Sequence, residues 1–133
     1  MRALIVDDQP MLLEMMRLKI QKAGFDVDAV NNGRDALKVF ERTDPDLVIT
    51  NLLIPDKSGL EIIKYIRDKG NSVPIIVASG VQSEEMMLKV FESGADDFIC
   101  KPFKPIELIV KAKRFFIEEL SSNESNIYHG LAS

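Results

Sequence analysis

Five short, mostly β-branched or apolar runs alternate along the chain with longer amphipathic stretches. The runs Ala3–Val6, Val27–Val30, Leu47–Thr50, Val73–Ala78 and Asp97–Cys100 read as strands. Between and after them, apolar residues recur at helical spacing over Met11–Ala23, Arg34–Glu41, Leu60–Asp68, Ser83–Glu92 and Pro105 to about Glu119. Gly24, Gly70 and Gly94 fall just past three of these stretches, where helices commonly stop. Strict alternation, strand then helix five times over, predicts a parallel sheet with helices on both faces. The first, third and fourth strands are apolar at nearly every position, as burial on two sides requires, so they belong in the sheet interior. In such sheets ligands bind outside the carboxyl ends of the strands, where the strand order reverses, and the chemistry is to be sought there.

At 133 residues the chain has the size of one ordinary domain. A boundary near residue 120 separates it from residues 121–133, a Ser- and Asn-rich stretch with the composition of a tail or linker. A formal net charge of −4 argues against a nucleic-acid surface, which needs clustered Lys and Arg to displace counterions. No apolar run approaches the roughly 20 residues that span a bilayer, and no signal-peptide pattern opens the chain, so a cytoplasmic protein is expected. The single cysteine, Cys100, cannot close an internal disulfide. The single histidine, His129, lies in the tail and leaves no material for zinc frameworks or histidine-dependent triads.

Chemistry concentrates at the strand ends. Asp7 and Asp8 stand side by side before Gln9-Pro10 opens the first helix, and two unit charges about 4 Å apart repel by roughly 4 kcal/mol at an effective dielectric of 20. Water screens such a pair, or a cation bridges it, and Mg²⁺ with its few carboxylates and retained waters suits it. A solvated acidic turn capping the helix accounts for the same residues. Ser79-Gly80 closes the fourth strand, and Lys101-Pro102 follows the fifth; taken alone, the first is also ordinary loop chemistry and Lys101 an ordinary surface lysine.

The segment Asp46-Leu47-Val48-Ile49-Thr50-Asn51-Leu52-Leu53-Ile54-Pro55-Asp56-Lys57-Ser58-Gly59, with Asp7-Asp8, Ser79 and Lys101-Pro102 around it, resembles the receiver-domain signature of two-component response regulators. The resemblance covers about residues 2 to 119, and it implies a flavodoxin-like (βα)5 fold, a doubly wound sheet in the order 2-1-3-4-5. It also implies that Asp7 and Asp8 are an acidic Mg²⁺ pair, that Ser79 and Lys101 contact phosphoryl oxygens, and that Asn51 stands where the family has its phosphate-accepting aspartate. Ser79 and Phe98 match the family's switch positions, and Leu53 and Val81 match positions that govern water access. By the same resemblance the partners are a sensor histidine kinase or phosphotransfer protein and a downstream output domain or protein. Ile106, Ile109, Val110, Phe115, Phe116, Ile117 and Leu120 give the last helix more apolar surface than one sheet face needs, which fits either a homodimer through the fourth helix, fifth strand and fifth helix or a core-facing helix continuing into a linker.

An amide cannot do what the aspartate does. Its nitrogen lone pair is delocalised and its oxygen is a poor nucleophile, so no acyl phosphate forms at Asn51. The loss of a negative charge should also weaken Mg²⁺ binding by Asp7, Asp8 and the Asn51 oxygen, and should let Lys101 lean toward Asp7 or Asp8. The chain then reads as a signalling module, not an enzyme, with an amide of natural or engineered origin. The alternative is an interaction module that never uses phosphate. A haloacid-dehalogenase-type hydrolase fits poorly, because its Asp-x-Asp and cap-domain length are missing. A flavin or nucleotide binder fits no better, because no Gly-rich phosphate loop follows the first strand.

Overall fold

The computed structural model describes residues 1–116. The expected domain boundary near residue 120, the tail at 121–133, Ile117, Leu120 and the end of the last helix lie outside the described residues. Five strands, β1 (Arg2–Val6), β2 (Asp26–Val30), β3 (Leu47–Thr50), β4 (Ile75–Ser79) and β5 (Asp97–Cys100), form one parallel sheet in the order β2-β1-β3-β4-β5. Four helices connect them: α1 (Pro10–Lys22), α2 (Gly33–Thr43), α3 (Gly59–Asp68) and α4 (Glu84–Glu92). A fifth, α5, runs over 105–116 within the described residues. The parallel sheet is the one expected from the alternation of patterns, its flavodoxin-like order is the one the resemblance implies, and the strand order reverses between β1 and β3.

Burial follows the sheet order. The interior strands β3 and β4 are buried throughout and β1 almost so, whereas the edge strand β2 has no fully buried residue. Alternate side chains feed two cores. On one face Leu4, Val6, Val48, Ile75 and Val77 pack with Phe40, Ile62, Ile63, Ile66 and Val90 from α2, α3 and α4. On the other, Ala3, Ile5, Leu47, Ile49 and Ile76 meet Met16 and Ile20 of α1 and Leu108 and Ala112 of α5. At about 25 cal/mol per Å² of apolar surface, burying one such Leu or Ile stabilises the fold by roughly 1.5–3 kcal/mol before entropy is counted.

Caps set most of the boundaries. Asn32, Ser58 and Ser83 each accept a hydrogen bond from a backbone N–H three residues on, at the starts of α2, α3 and α4. At the start of α1 the side chain of Gln9 makes no such bond, and Pro10 fills the first turn instead. Several boundaries shift by one or two residues from the sequence reading, and the largest shifts have a visible cause. Helix α2 continues to Thr43, because it ends at Asp44 in a left-handed conformation, φ 45°, and not at a glycine. Strand β4 begins at Ile75 and not Val73, whose N–H is taken by the Asn71 side chain, and it extends to Ser79, which pairs with Cys100.

Candidate functional site

The carboxyl ends of β1, β3, β4 and β5 meet at one cleft of about 670 Å³, lined by Asp8, Asn51, Ser79 and Lys101 among others. Backbone hydrogen bonds tie these ends together. The Asp7 N–H donates to the Val30 carbonyl at 3.1 Å, Asn51 N–H to the Val6 carbonyl at 3.0 Å, and Lys101 N–H to the Ser79 carbonyl at 2.9 Å. The peptide between Lys101 and Pro102 is cis.

Under the cleft lies an ion pair. Asp7 is fully buried, and its Oδ2 accepts from the Lys101 ammonium at 2.6 Å. The other oxygen accepts from the Gln9 N–H at 2.9 Å, so the carboxylate also holds the entry to α1. Asp8, its neighbour, is exposed and faces the cleft. Adjacent strand-end residues point to opposite sides, and so the two acids have different surroundings despite their adjacency.

Asn51 is 8% exposed, and its Oδ1 accepts from the Leu52 N–H at 2.8 Å. That bond sets the amide's orientation: turned over, the amino group would face the Leu52 N–H, donor against donor. No fully buried side-chain polar atom among the described residues lacks a partner, and Nδ2 makes no hydrogen bond to the protein there. It therefore lies at the cleft surface. Ser79 is 1% exposed, and its Oγ accepts from the Val81 N–H at 3.1 Å, which leaves the hydroxyl hydrogen to donate.

The loop after β3 is pressed against the site. A Cβ on Gly59 would lie 2.3 Å from the Asn51 carbonyl oxygen and 2.9 Å from Leu52 Cα, so only glycine fits there. The Gly59 N–H donates to the Leu52 carbonyl at 2.8 Å. Asp56 turns the same loop at φ 72°. The walls of the cleft include Leu12, Leu53, Val81, Pro102 and Phe103, with Leu53 71% exposed at the rim. Leu12 and Phe103 were not singled out in the sequence, since nothing in their spacing distinguishes a cleft wall from a core position. Phe98 is buried in the core beside α4 and does not line the cleft.

A model of the response regulator receiver domain matches residues 3–113.

The chain belongs to the response regulator receiver domain family.

Similar proteins agree. The DNA-binding response regulator MtrA of Mycolicibacterium smegmatis is 36% identical over 113 residues, 84% of this chain and 49% of that protein. The CheY-like receiver domain protein of Methanospirillum hungatei JF-1 superposes with a TM-score of 0.83 at 26% identity, covering 91% of this chain and 97% of that one. The BeF3-activated receiver domain of DrrB, from Thermotoga maritima, gives a TM-score of 0.80 at 32% identity over 86% of this chain and 96% of that one. This receiver domain spans about half the length of the curated relatives it matches.

Receiver domains of this family bind Mg²⁺ at their phosphorylation site. Here no group of three His, Cys, Asp or Glu side chains is poised for a metal among the described residues. The donors at the cleft are two carboxylates, one already paired to Lys101, and an amide oxygen already bonded to a backbone N–H. One or two carboxylates with water suffice for Mg²⁺, so the residues fit it, with Asp8 the more available ligand. No helix among the described residues is long and apolar enough to cross a membrane.

Proposed function

We propose that this chain is a two-component receiver in which Asn51 occupies the phosphoacceptor position, so that its interaction face is set without phosphoryl transfer to that residue. The observation that carries the reading is the meeting of Asp8, Asn51, Ser79 and Lys101 from four strand ends at one cleft, with Asp7 paired to Lys101 beneath it. In this reading Asp7, Asp8 and Asn51 form the metal position, and Ser79 and Lys101 the phosphoryl contacts. Bound Mg²⁺ would supply charge neutralisation for phosphoryl oxygens. Lys101 serves as a compact positive charge held by Asp7, and Ser79 donates its hydroxyl toward the cleft.

Ser79 and Phe98 are the switch residues of this reading. Ser79 ends β4 at the cleft, and Phe98 packs two positions before Cys100 on β5, under α4. With Phe98 already buried and lacking a phenolic hydroxyl, movement between states is small. The outward face is that of α4, β5 and α5, where Leu88, Phe91, Ile106 and Val110 are exposed, and it is the surface offered to an output domain, a downstream protein or a second copy. A histidine kinase or phosphotransfer protein is the upstream partner of the family.

A second reading, an interaction module independent of phosphate, is favoured by Asn51 itself. Intact mass separates the two. After incubation with Mg²⁺ and a small phosphodonor, this chain should gain no phosphoryl mass, and Asn51→Asp should gain one. If the variant also gains nothing while remaining folded, the cleft is not a receiver site, and the phosphate-independent module becomes the account.

A further inference from the structure

Asn32-Gly33 is the one Asn-Gly pair in the chain, and the cleft chemistry makes no use of it. Each partner has a structural reason to be there. Asn32 caps α2: its Oδ1 accepts from the Asp35 N–H at 2.8 Å, and its Nδ2 donates to Asn31 Oδ1 and Asp35 Oδ2, each at 2.9 Å. Gly33 is buried against the loop that joins β3 to α3. A Cβ there would lie 2.8 Å from the Lys57 carbonyl oxygen and 2.9 Å from Lys57 Cα, so no larger residue fits. Packing thus fixes a chemically labile pair, because asparagine is a labile side chain and a glycine nitrogen has no Cβ to hinder its attack.

The same packing keeps the two reacting atoms from meeting. The Gly33 N–H donates to the Pro55 carbonyl at 2.9 Å, which also accepts from the Lys57 N–H at 2.9 Å. Asn32 has an extended backbone, φ −154° and ψ 161°, and three hydrogen bonds hold its amide. For the Gly33 nitrogen to reach Asn32 Cγ, ψ of Asn32 must turn out of the extended region and the bond to Pro55 must break. Both require the loop between β3 and α3 to lift from the start of α2. A local opening of this kind costs less than unfolding the domain.

From the pair and its gate we infer that Asn32 is a site of self-modification, converting to aspartate and isoaspartate at a rate set by opening of the loop between β3 and α3. The Gly33 nitrogen loses its proton and bonds to Asn32 Cγ. The Cγ–Nδ2 bond breaks, and that nitrogen takes up a proton and leaves as ammonia. Water then opens the five-membered imide: cleavage at Cγ gives aspartate, and cleavage at the main-chain carbonyl gives isoaspartate, whose backbone runs through Cβ and Cγ. Water is the only co-reactant, and nothing is oxidised or reduced.

The two products have different consequences. Aspartate still caps α2. Isoaspartate adds a carbon to the main chain and displaces Gly33 from Pro55 and Lys57, which loosens the loop whose far end, Gly59, is pressed against Asn51. The reaction therefore leaves a permanent mark on the loop that follows Asn51, and it does not depend on the reading of the cleft as a receiver site.

The test is incubation of the full chain at neutral pH, folded and in denaturing urea, followed by intact mass, ammonia release and peptide mapping. Asn32 should gain one mass unit in both, on the order of a hundredfold more slowly when folded, with isoaspartate among the products. Gly59→Ala, which pushes on the loop, should speed the folded reaction about tenfold. Met16→Ala, which opens a cavity in the core on the α1 and α5 side of the sheet, should leave it within about twofold. The isoaspartate form should melt about 5 °C below the parent, the loss of roughly one backbone hydrogen bond, and should shift the Leu52 amide signal in proton–nitrogen NMR. Asn32→Asp should melt within about 2 °C of the parent.

Thermal melts establish that each variant is folded. No conversion in the folded chain, equal rates folded and unfolded, or faster conversion at Asn71 than at Asn32 would overturn the inference. So would equal acceleration by Gly59→Ala and Met16→Ala, or an isoaspartate form that melts with the parent. Phosphoryl uptake by Asn51→Asp is read separately, so the receiver reading stands or falls on its own.

Discussion

Replacing Lys101 by methionine isolates the energetics of the buried pair under the cleft. Asp7 is fully buried and Lys101 lies 2.6 Å away with only 13% of its side chain exposed. Met keeps most of the volume and removes the charge. The Asp7 carboxylate then retains the Gln9 N–H, at 2.9 Å, but no counter-charge. Removing one partner of a buried pair typically costs roughly 3–5 kcal/mol, and the retained Gln9 bond with the adjacent open cleft places this case near about 3 kcal/mol. With a urea slope of about 2 kcal/mol per molar, the unfolding midpoint should fall by about 1.5 M. Asp7→Asn combined with Lys101→Met leaves no buried charge, so the double variant should be more stable than Lys101→Met alone by at least about 1 kcal/mol. Urea unfolding followed by circular dichroism at neutral pH measures all four corners of the cycle. A midpoint for Lys101→Met within about 0.3 M of the parent, or strictly additive effects, would refute the reasoning.

Gly59→Ala should destabilise by roughly 2–3 kcal/mol, because its Cβ would meet the Asn51 carbonyl oxygen at 2.3 Å, and both atoms belong to packed backbone. Gly80→Ala, which meets nothing within 4 Å, is the control, and a thermal melt showing equal effects for the two would contradict this account. In Asn51→Asp charged with a phosphoryl group, loss of the group should be slow, on the order of minutes or longer by the apolar walls' inability to orient water. Leu53 and Val81 line the cleft and neither can hydrogen-bond an attacking water; loss within seconds, followed by intact mass, would exclude this role. Glu41 bridges α2 to α3, where hydrogen bonds from Lys69 and then Tyr65 hold its carboxyl below the ordinary value of 4.5. A depressed folded-state value means stability that is present above about pH 4.5 and fades as acid protonates the folded form, so Glu41→Gln should flatten stability against pH below about 4.5. An unchanged slope in acid unfolding curves would remove the bridge from the account.

Much of the fold is written locally. The short β-branched and apolar runs and the period-3.6 patterns, together with the glycine stops, place all five strands and the described helices, because run length and periodicity record how each element is buried. The apolar run through β1, β3 and β4 even marks them as interior strands. Where boundaries moved, a local detail without a regular pattern was responsible: a left-handed Asp44 in place of a glycine stop, and the Asn71 side chain intercepting Val73.

The site was legible as residue types at strand ends, since each of Asp7, Asp8, Asn51, Ser79 and Lys101 closes or follows a recognisable strand. Which of the two adjacent acids is buried against Lys101, and which faces the cleft, only the tertiary structure decided. That distinction depends on residues 94 positions apart in the chain meeting across the sheet. The same holds for the steric need for Gly59, imposed by a backbone carbonyl eight residues earlier, and for the orientation of the Asn51 amide, set by a neighbouring N–H in one particular backbone conformation. Sequence specifies which groups are available and which faces are apolar; close approach, burial and hydrogen-bond direction arise only when distant strand ends are brought within contact distance.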